Sequence, residues 1–249
     1  MTTANPATSG ATSGANPTSV DPDVMAIYGR SAARYDRLNA VASMGTSNWY
    51  RRRTILSLDL PPDATLVDVG CGTGMLALAA QRFLPESPSI VAVDPCPEMR
   101  AIAASAGVRD VRPGTFADIP VEDASRDAVV SGYAIRYARD FHEAFREVFR
   151  VLRPGGRAVI LEMIPPPPGW RRSLVGGLIR DVGAPVLGTL CGGVAVRDLM
   201  RHFWGSVSSF DAPPAIVERM IAEGFVEVEY RHVGGLLGEF RATRPPLGN

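Results

Sequence analysis

Apolar positions recur at three- and four-residue intervals from Asp21 to about Leu58: Met25, Ile27 and Tyr28, then Tyr35, Leu38 and Val41, then Trp49, Ile55 and Leu58. That period predicts helix, and a break near Gly45 divides it in two. Beyond Pro61-Pro62 the texture changes to short apolar runs alternating with helical ones: TLVDVG, MLALAAQRFL, SIVAVD and PEMRAIAASAG. Apolar runs without polar alternation belong to strands covered on both faces, so a parallel sheet with helices on either side is expected. The rhythm continues through VRDVRPG, DAVVSGYA, the helix DFHEAFREVFRVL closed by Arg153-Pro154-Gly155-Gly156, and the strand RAVILEM. From Ile164 it lapses. Pro165 to Pro168 lead into the glycine-rich apolar stretch RRSLVGGLIRDVGAPVLGTLCGG, which reads as an inserted helical lid over about 164–205. PPAIVERMIAEGF, VEVEYRHV and LLGEFRAT then read as helix, strand, turn and strand, an antiparallel hairpin that closes the sheet.

Composition narrows the class. A chain of 249 residues with 46% hydrophobic content can bury one full core, assigned here to 21–249. Residues 1–20 are Thr, Ala, Ser, Gly, Asn and Pro with almost no large apolar side chain, and are expected to be a disordered tail. Twenty-six basic residues balance twenty-six acidic ones, so no net field holds a nucleic-acid backbone. Lysine is absent from the chain, which excludes Schiff-base lysines and the P-loop lysine. Cys71, Cys96 and Cys191 form no Cys-x-x-Cys pair, so neither a disulfide framework nor a metal site is expected. No secretory leader and no run of eighteen uninterrupted apolar residues can be read, so the expected location is cytoplasmic, without a membrane span.

The chemistry-bearing signature lies where TLVDVG runs into Gly70-Cys71-Gly72-Thr73-Gly74, with Asp94 ending the next apolar run. Glycines let the backbone approach a ligand closely, a helix starting near Met75 presents free N–H groups, and a carboxylate at a strand tip can accept ribose hydroxyls. A glycine-rich turn alone also fits a tight strand-to-helix connection or a nicotinamide dehydrogenase. The form here is Asp-x-Gly-x-Gly-x-Gly, with Asp68 inside the strand and two helices ahead of it. It resembles motif I of class I S-adenosylmethionine-dependent methyltransferases.

The resemblance extends to the ubiquinone/menaquinone C-methyltransferase family, from Tyr28 to Thr243. It is carried by YGRSAARYDRLNAVASMGTSNWYRRR, LVDVGCGTGMLAL, DAVVSGYAIRYARDFHEAFREVFRVLRPGGRAVILEM and FDAPPAIVERMIAEGF with its closing Gly-Gly hairpin. It implies a doubly wound, seven-stranded, mostly parallel α/β sheet of Rossmann-like type with N-terminal helices and the lid. The implied cofactor is S-adenosylmethionine, held by Tyr35, Asp68, Gly70, Cys71, Gly72, Gly74, Asp94, Pro95, Thr115, Phe116 and Ser131. Cys71 reads as a small residue in the loop rather than a nucleophile. The implied acceptor is a reduced, prenylated ring methylated at carbon, bound by Tyr133, Arg136, Tyr137 and His202.

Arg136 is expected to stabilise a developing phenolate, with a salt bridge to Asp140 or Glu143 as its alternative role. His202 is the candidate proton acceptor, with packing as the alternative. His142 reads as a surface residue, and His232 can be read either way. This chain departs from the family pattern at Gly114-Thr115-Phe116, where Asp118 is a substitute for the family's acid, and at Tyr137, Met200 and His202. These positions leave open an O-, N- or C-methyltransferase of a secondary metabolite, or a cofactor-binding protein without transfer. Trp170 to Leu190 can cover a prenyl tail or pack as core, and Arg51-Arg52-Arg53 can meet lipid phosphates or form a solvated helix face. Peripheral membrane contact and a homodimer are both compatible with this reading.

Overall fold

The computed structural model describes residues 20–43, 45–84, 86–87, 89–191 and 193–247. Seven strands form one sheet in the order β3-β2-β1-β4-β5-β7-β6. The strands are β1 (Leu66–Val69), β2 (Ile90–Val93), β3 (Asp110–Arg112), β4 (Arg126–Gly132), β5 (Leu152–Met163), β6 (Val226–Gly234) and β7 (Leu237–Thr243). The first five are parallel, whereas β7 runs antiparallel between β5 and β6, as the closing hairpin predicted.

Strand alternation divides the core into two layers. Val67, Val69, Val91, Val93 and Val129 point to one face, where α5 (Phe141–Val151) and α9 (Pro213–Ala222) cover them through Phe145, Val148, Ile216 and Met220. Leu66, Ile90, Ala92, Ala128 and Val130 point to the other, against Leu76, Ala77 and Ala80 of α3 (Met75–Phe83) and Ile55 of α2 (Ser47–Leu56). The strand order reverses between β1 and β4, which opens a crevice at their carboxyl ends.

α1 (Pro22–Ala42) lies at that end, its Val24, Met25, Tyr28 and Tyr35 lining the crevice, and α7 (Ala184–Cys191) and α8 (Val194–Ser208) pack on α1, with α6 (Trp170–Gly177) preceding them. Asp21 caps α1 by accepting the Asp23 N–H at 2.9 Å, and Pro22 occupies its first turn. Leu38 of α1 packs with Cys191, Val196 and Leu199. A π-helical turn, Leu178–Gly183, joins α6 to α7. α4 (Pro97–Ser105) lies against α1 through Ala32, Met99 and Tyr28.

The sequence ended α5 with a loop at Arg153 to Gly156; instead β5 begins at Leu152, paired with Arg126, before the register shifts to Ala128 and Arg157. Gly155 and Gly156 are tied to Arg244 by backbone hydrogen bonds. The 1–20 tail lies outside the described residues apart from Val20.

Candidate active site

The crevice is a cleft of about 940 Å³, counting its open mouth. Its floor is the end of β1. The Gly70 and Cys71 N–H groups both donate to the Val93 carbonyl, at 2.8 and 3.0 Å, which bends the chain into the loop. Gly70 and Gly72 adopt φ of 71° and 55° for different reasons. A Cβ on Gly70 would lie 2.3 Å from that of Ala134, whereas one on Gly72 would meet no atom within 4 Å. Gly72 therefore leaves open the space that a ligand's backbone-facing edge needs.

Asp94 is nearly buried at the tip of β2. Its two oxygens accept the N–H groups of Gly72 and Cys96, each at 2.8 Å. Burial raises its pKa, and those two hydrogen bonds and Arg100 work against the rise. Tyr35, Pro95, Thr115 and Phe116 line the same cleft. The Thr115 hydroxyl accepts the Ala117 N–H at 3.1 Å; the Asp118 side chain is exposed, and only its backbone pairs with Thr115.

Other expected cofactor residues stand behind this wall. Asp68 accepts the Ala77 N–H at 3.0 Å, and its second oxygen is buried without a partner among the described residues. Burial pushes its pKa up to about 7. The Ser131 hydroxyl on β4 is also buried without a partner. Cys71 has its thiol pKa raised by burial, which leaves it unreactive. These orphaned polar atoms around an open glycine turn fit the polar end of a nucleoside cofactor.

The acceptor side is a hydroxyl cluster. Tyr28 and Tyr137 share a hydrogen bond of 2.8 Å, Tyr137 and Ser206 one of 3.1 Å, and both tyrosines line the cleft. Tyr133, also in the lining, has φ of 63°, a strained conformation for a residue with a Cβ. Burial pushes its pKa up to about 12. Arg136 lies beneath the Tyr137 ring, 4.8 Å from guanidinium carbon to centroid. Neither Asp140 nor Glu143 is its partner. Asp140 caps α5 by accepting the His142 N–H at 2.7 Å, while Arg136 pairs with Glu162 of β5 at 2.5 Å and donates to Ser206 at 3.1 Å. Burial opposes the charge on Arg136, but Glu162 and the tyrosines outweigh it and hold it protonated.

His202 stacks on Tyr137 with an interplanar angle of 8°, and its Nε2 is buried without a partner among the described residues. Burial and the Arg136 charge lower its pKa, so the ring is neutral. His142 is exposed and bonds Glu223, and His232 is exposed and contacts the Gly235 carbonyl.

The sequence missed Tyr28, Glu162 and Arg51. Tyr28 reads in the sequence as an apolar helix position, although its seven-residue spacing from Tyr35 places both on one face. Glu162 is a lone acid in the run AVILEM, which was a usable signal. Arg51 is buried and bonds Ser47, unlike the exposed Arg52 and Arg53, so the triplet is not a uniform solvated face. Among the described residues no group of acids, histidines and cysteines could hold a metal.

A family described as "Methyltransferase domain" matches residues 67–160. The demethylmenaquinone methyltransferase of Thermus thermophilus is 37% identical over 205 residues, covering 80% of this chain and 91% of that protein. That of Mycolicibacterium gilvum is 29% identical, covering 90% and 95%. The ubiquinone/menaquinone biosynthesis C-methyltransferase of Geotalea daltonii is 35% identical over 57% and 64%. A Thermotoga maritima methyltransferase described as a possible histamine N-methyltransferase superposes with a TM-score of 0.63 at 20% identity, over 88% of this chain and 99% of that one. At that identity the likeness concerns the fold. The sheet order, the open glycine loop with Asp94, and the relatives at this identity and coverage agree: the chain is an S-adenosylmethionine-dependent methyltransferase belonging to the ubiquinone/menaquinone C-methyltransferase family.

Proposed function

We propose that the cleft directs methylation of a ring carbon in a reduced, prenylated quinol, of the naphthoquinol or benzoquinol kind for which the relatives are named. One observation carries the reading furthest: a paired Tyr28–Tyr137 hydroxyl system, backed by the Arg136 charge, opens on the same cleft as the glycine loop. Bound S-adenosylmethionine supplies an electrophilic sulfonium methyl.

The chain's own residues place the reactants. Each Asp94 oxygen already accepts one backbone N–H and keeps a lone pair for a ribose hydroxyl. Gly70, Gly72, Pro95, Thr115, Phe116 and Tyr35 line the cleft; of these, Gly70, Gly72 and Pro95 would seat the nucleoside, Thr115 and Phe116 would hold the adenine, and Tyr35 the methionine end. Asp68, Cys71, Gly74 and Ser131 support the loop from behind, Asp68 by pinning the start of α3. Tyr28, Tyr133 and Tyr137 orient the acceptor hydroxyl, and Arg136 acts at one remove by favouring negative charge beside Tyr137. Neutral His202, stacked on Tyr137 outside the cleft lining and with a buried, unpartnered Nε2, is the candidate sink for the hydroxyl proton.

Positioning does most of the work. Alignment at near-attack distance supplies about 7–11 kcal/mol of a barrier, and an ionised quinol ring is already nucleophilic beside its oxygen. Tyr137 and His202, where this chain departs from the family pattern, favour a second reading in which another phenol is the acceptor.

The test is transfer of labelled methyl to short-tailed demethylnaphthoquinols and benzoquinols, with plain phenols and amines alongside. Label on a quinol carbon supports the reading. Label only on a phenol oxygen or an amine transfers support to the second, and no label despite cofactor binding overturns both.

A further inference from the structure

Residues 170–191 form one continuous helix of 22 residues through α6, the π-turn and α7, long and apolar enough by composition to cross a bilayer. Its polarity is inverted relative to a soluble surface helix. Small residues face the protein: Gly176, Ala184, Gly188 and Cys191 are buried. A Cβ on Gly176 would come within 2.5 Å of the Trp204 indole nitrogen, so this face is committed to α8. The large apolar side chains face outward: Trp170, Leu174, Leu178, Val182, Val186 and Leu190 are each between 50% and 72% exposed.

The spacing of this stripe is four residues throughout. In an α-helix each such step overshoots a turn by about 40°, so six residues would spiral around the axis. The wider π-turn at Leu178–Gly183 unwinds part of that drift. It keeps the stripe on the outer side while the glycines stay inside. Pro185, which has no N–H and whose ring crowds the carbonyl of Asp181, accounts for this irregularity, and none of the π-turn residues is buried.

We propose that this stripe is a bilayer-docking surface: the helix lies in the plane of the membrane interface and seats the helical layer packed on α1 against lipid. Charge favours lipid over a second copy. Within residues 170–191 the only acid is Asp181, against Arg171, Arg172 and Arg180, in a chain of zero net charge. Anionic headgroups complement that local excess, whereas a two-fold pair would set the same arginines against each other. A stable protein interface takes about 20–30 residues a side, and a file one residue wide falls short of it. An interfacial helix needs only such a strip, with arginines beside it and an aromatic anchor. Trp170, with the Arg171 guanidinium 5.5 Å from its ring, provides that anchor. The functional consequence rests on the quinol reading: a prenylated acceptor partitions into bilayers at about 0.8 kcal/mol per CH₂, and the docked helix packs on α1, whose Val24, Met25 and Tyr28 line the cleft that receives it.

The experiment is cosedimentation of the full chain with phosphatidylethanolamine–phosphatidylglycerol vesicles, without any acceptor, and with pure phosphatidylcholine vesicles for comparison. The wild type should bind the anionic vesicles more tightly. The triple variant Leu174→Ser/Leu178→Ser/Val182→Ser should bind about tenfold or more weakly, with an unchanged melting temperature and unchanged methyl transfer to a tail-less soluble acceptor. Brominated lipid should quench tryptophan emission, and Trp170→Phe should abolish that quenching. The proposal is overturned if the wild type ignores the vesicles or the triple variant binds as well. It is equally overturned if the variant's effect is to convert a dimer into a monomer in sedimentation velocity. Because vesicle binding is read with no acceptor present, failure of the quinol reading leaves this result interpretable, and the converse also holds.

Discussion

Arg136→Met would remove the cation from a pair whose side chains are 2% and 0% exposed. The Arg136 guanidinium is the cation bonded to Glu162, whose remaining contacts are backbone N–H groups at Arg136 and Met163. Stripping one partner from a buried pair costs about 3–5 kcal/mol, and in a chain of this size each kcal/mol shifts the midpoint by about 2–4 °C. A fall of roughly 6–20 °C in melting temperature is therefore expected. The double variant Arg136→Met/Glu162→Gln should recover most of it, because glutamine keeps a carbonyl for the Met163 N–H and carries no charge.

The pH dependence of the single variant follows from the same pair. Burial raises the pKa of Glu162 and Arg136 lowers it again, so the lone carboxyl is left with the raised value. A raised carboxyl pKa means the folded state binds the proton more tightly than the unfolded one. The deficit is absent below the unfolded value of about 4.3 and grows as pH rises toward the folded one. Melts from pH 5 to 8 should show the gap to wild type widening, and the double variant should show no such trend. In both variants cofactor affinity by calorimetry should stay near wild type while turnover falls. A pH-independent deficit, or a double variant as unstable as the single, would refute the argument.

Gly72→Ala should cost only about 1–2 kcal/mol of stability, the strain of an L-residue in the left-handed region, yet weaken cofactor binding at least about tenfold by calorimetry. Gly70→Ala, which collides with Ala134, should lower the melting temperature much further. Tyr137→Phe removes the hydroxyl shared with Tyr28 and Ser206, and at about 0.5–1.5 kcal/mol per hydrogen bond should slow turnover about tenfold with cofactor affinity unchanged; equal turnover would remove that hydroxyl from the acceptor site. Asp68, with a folded pKa of about 7, destabilises the fold progressively as pH rises from its unfolded value through that point, so the advantage of Asp68→Asn in thermal melts should grow between pH 5 and 8.

The sheet was legible because its signals are local. Ile90 to Val93 is an unbroken apolar run, Leu66 to Val69 is interrupted only by Asp68, and glycine at positions 70, 72 and 74 marks the turn whatever surrounds it. The acceptor pocket was legible only in part, since it is assembled from residues far apart in sequence. Arg136 was found, but its partner Glu162 arrives from the neighbouring strand and Ser206 from α8, and nothing near Arg136 in the chain announces either. The β5 start at Leu152 was hidden for a similar reason: Arg153 to Gly156 carry every mark of a loop, and only pairing with Arg126 and Arg244 extends them. In the lid, the four-residue spacing of large apolar residues was present in the sequence, but which side faced outward depended on where the π-turn fell.

The reversed direction of β7 also governs how the enzyme can be handled. Its first residue, Leu237, pairs with Met163 at the edge of the sheet that carries the cleft, and its last, Thr243, pairs with Arg157 at the opposite edge. Val20, at the other end of the described chain, lines the cleft itself. A protein anchored to a solid support through its carboxyl end would present an open mouth to solution, whereas a fusion partner joined directly to Val20 in place of residues 1–19 would begin at the entrance. The two tethering geometries should differ in cofactor access even when the attached body is identical.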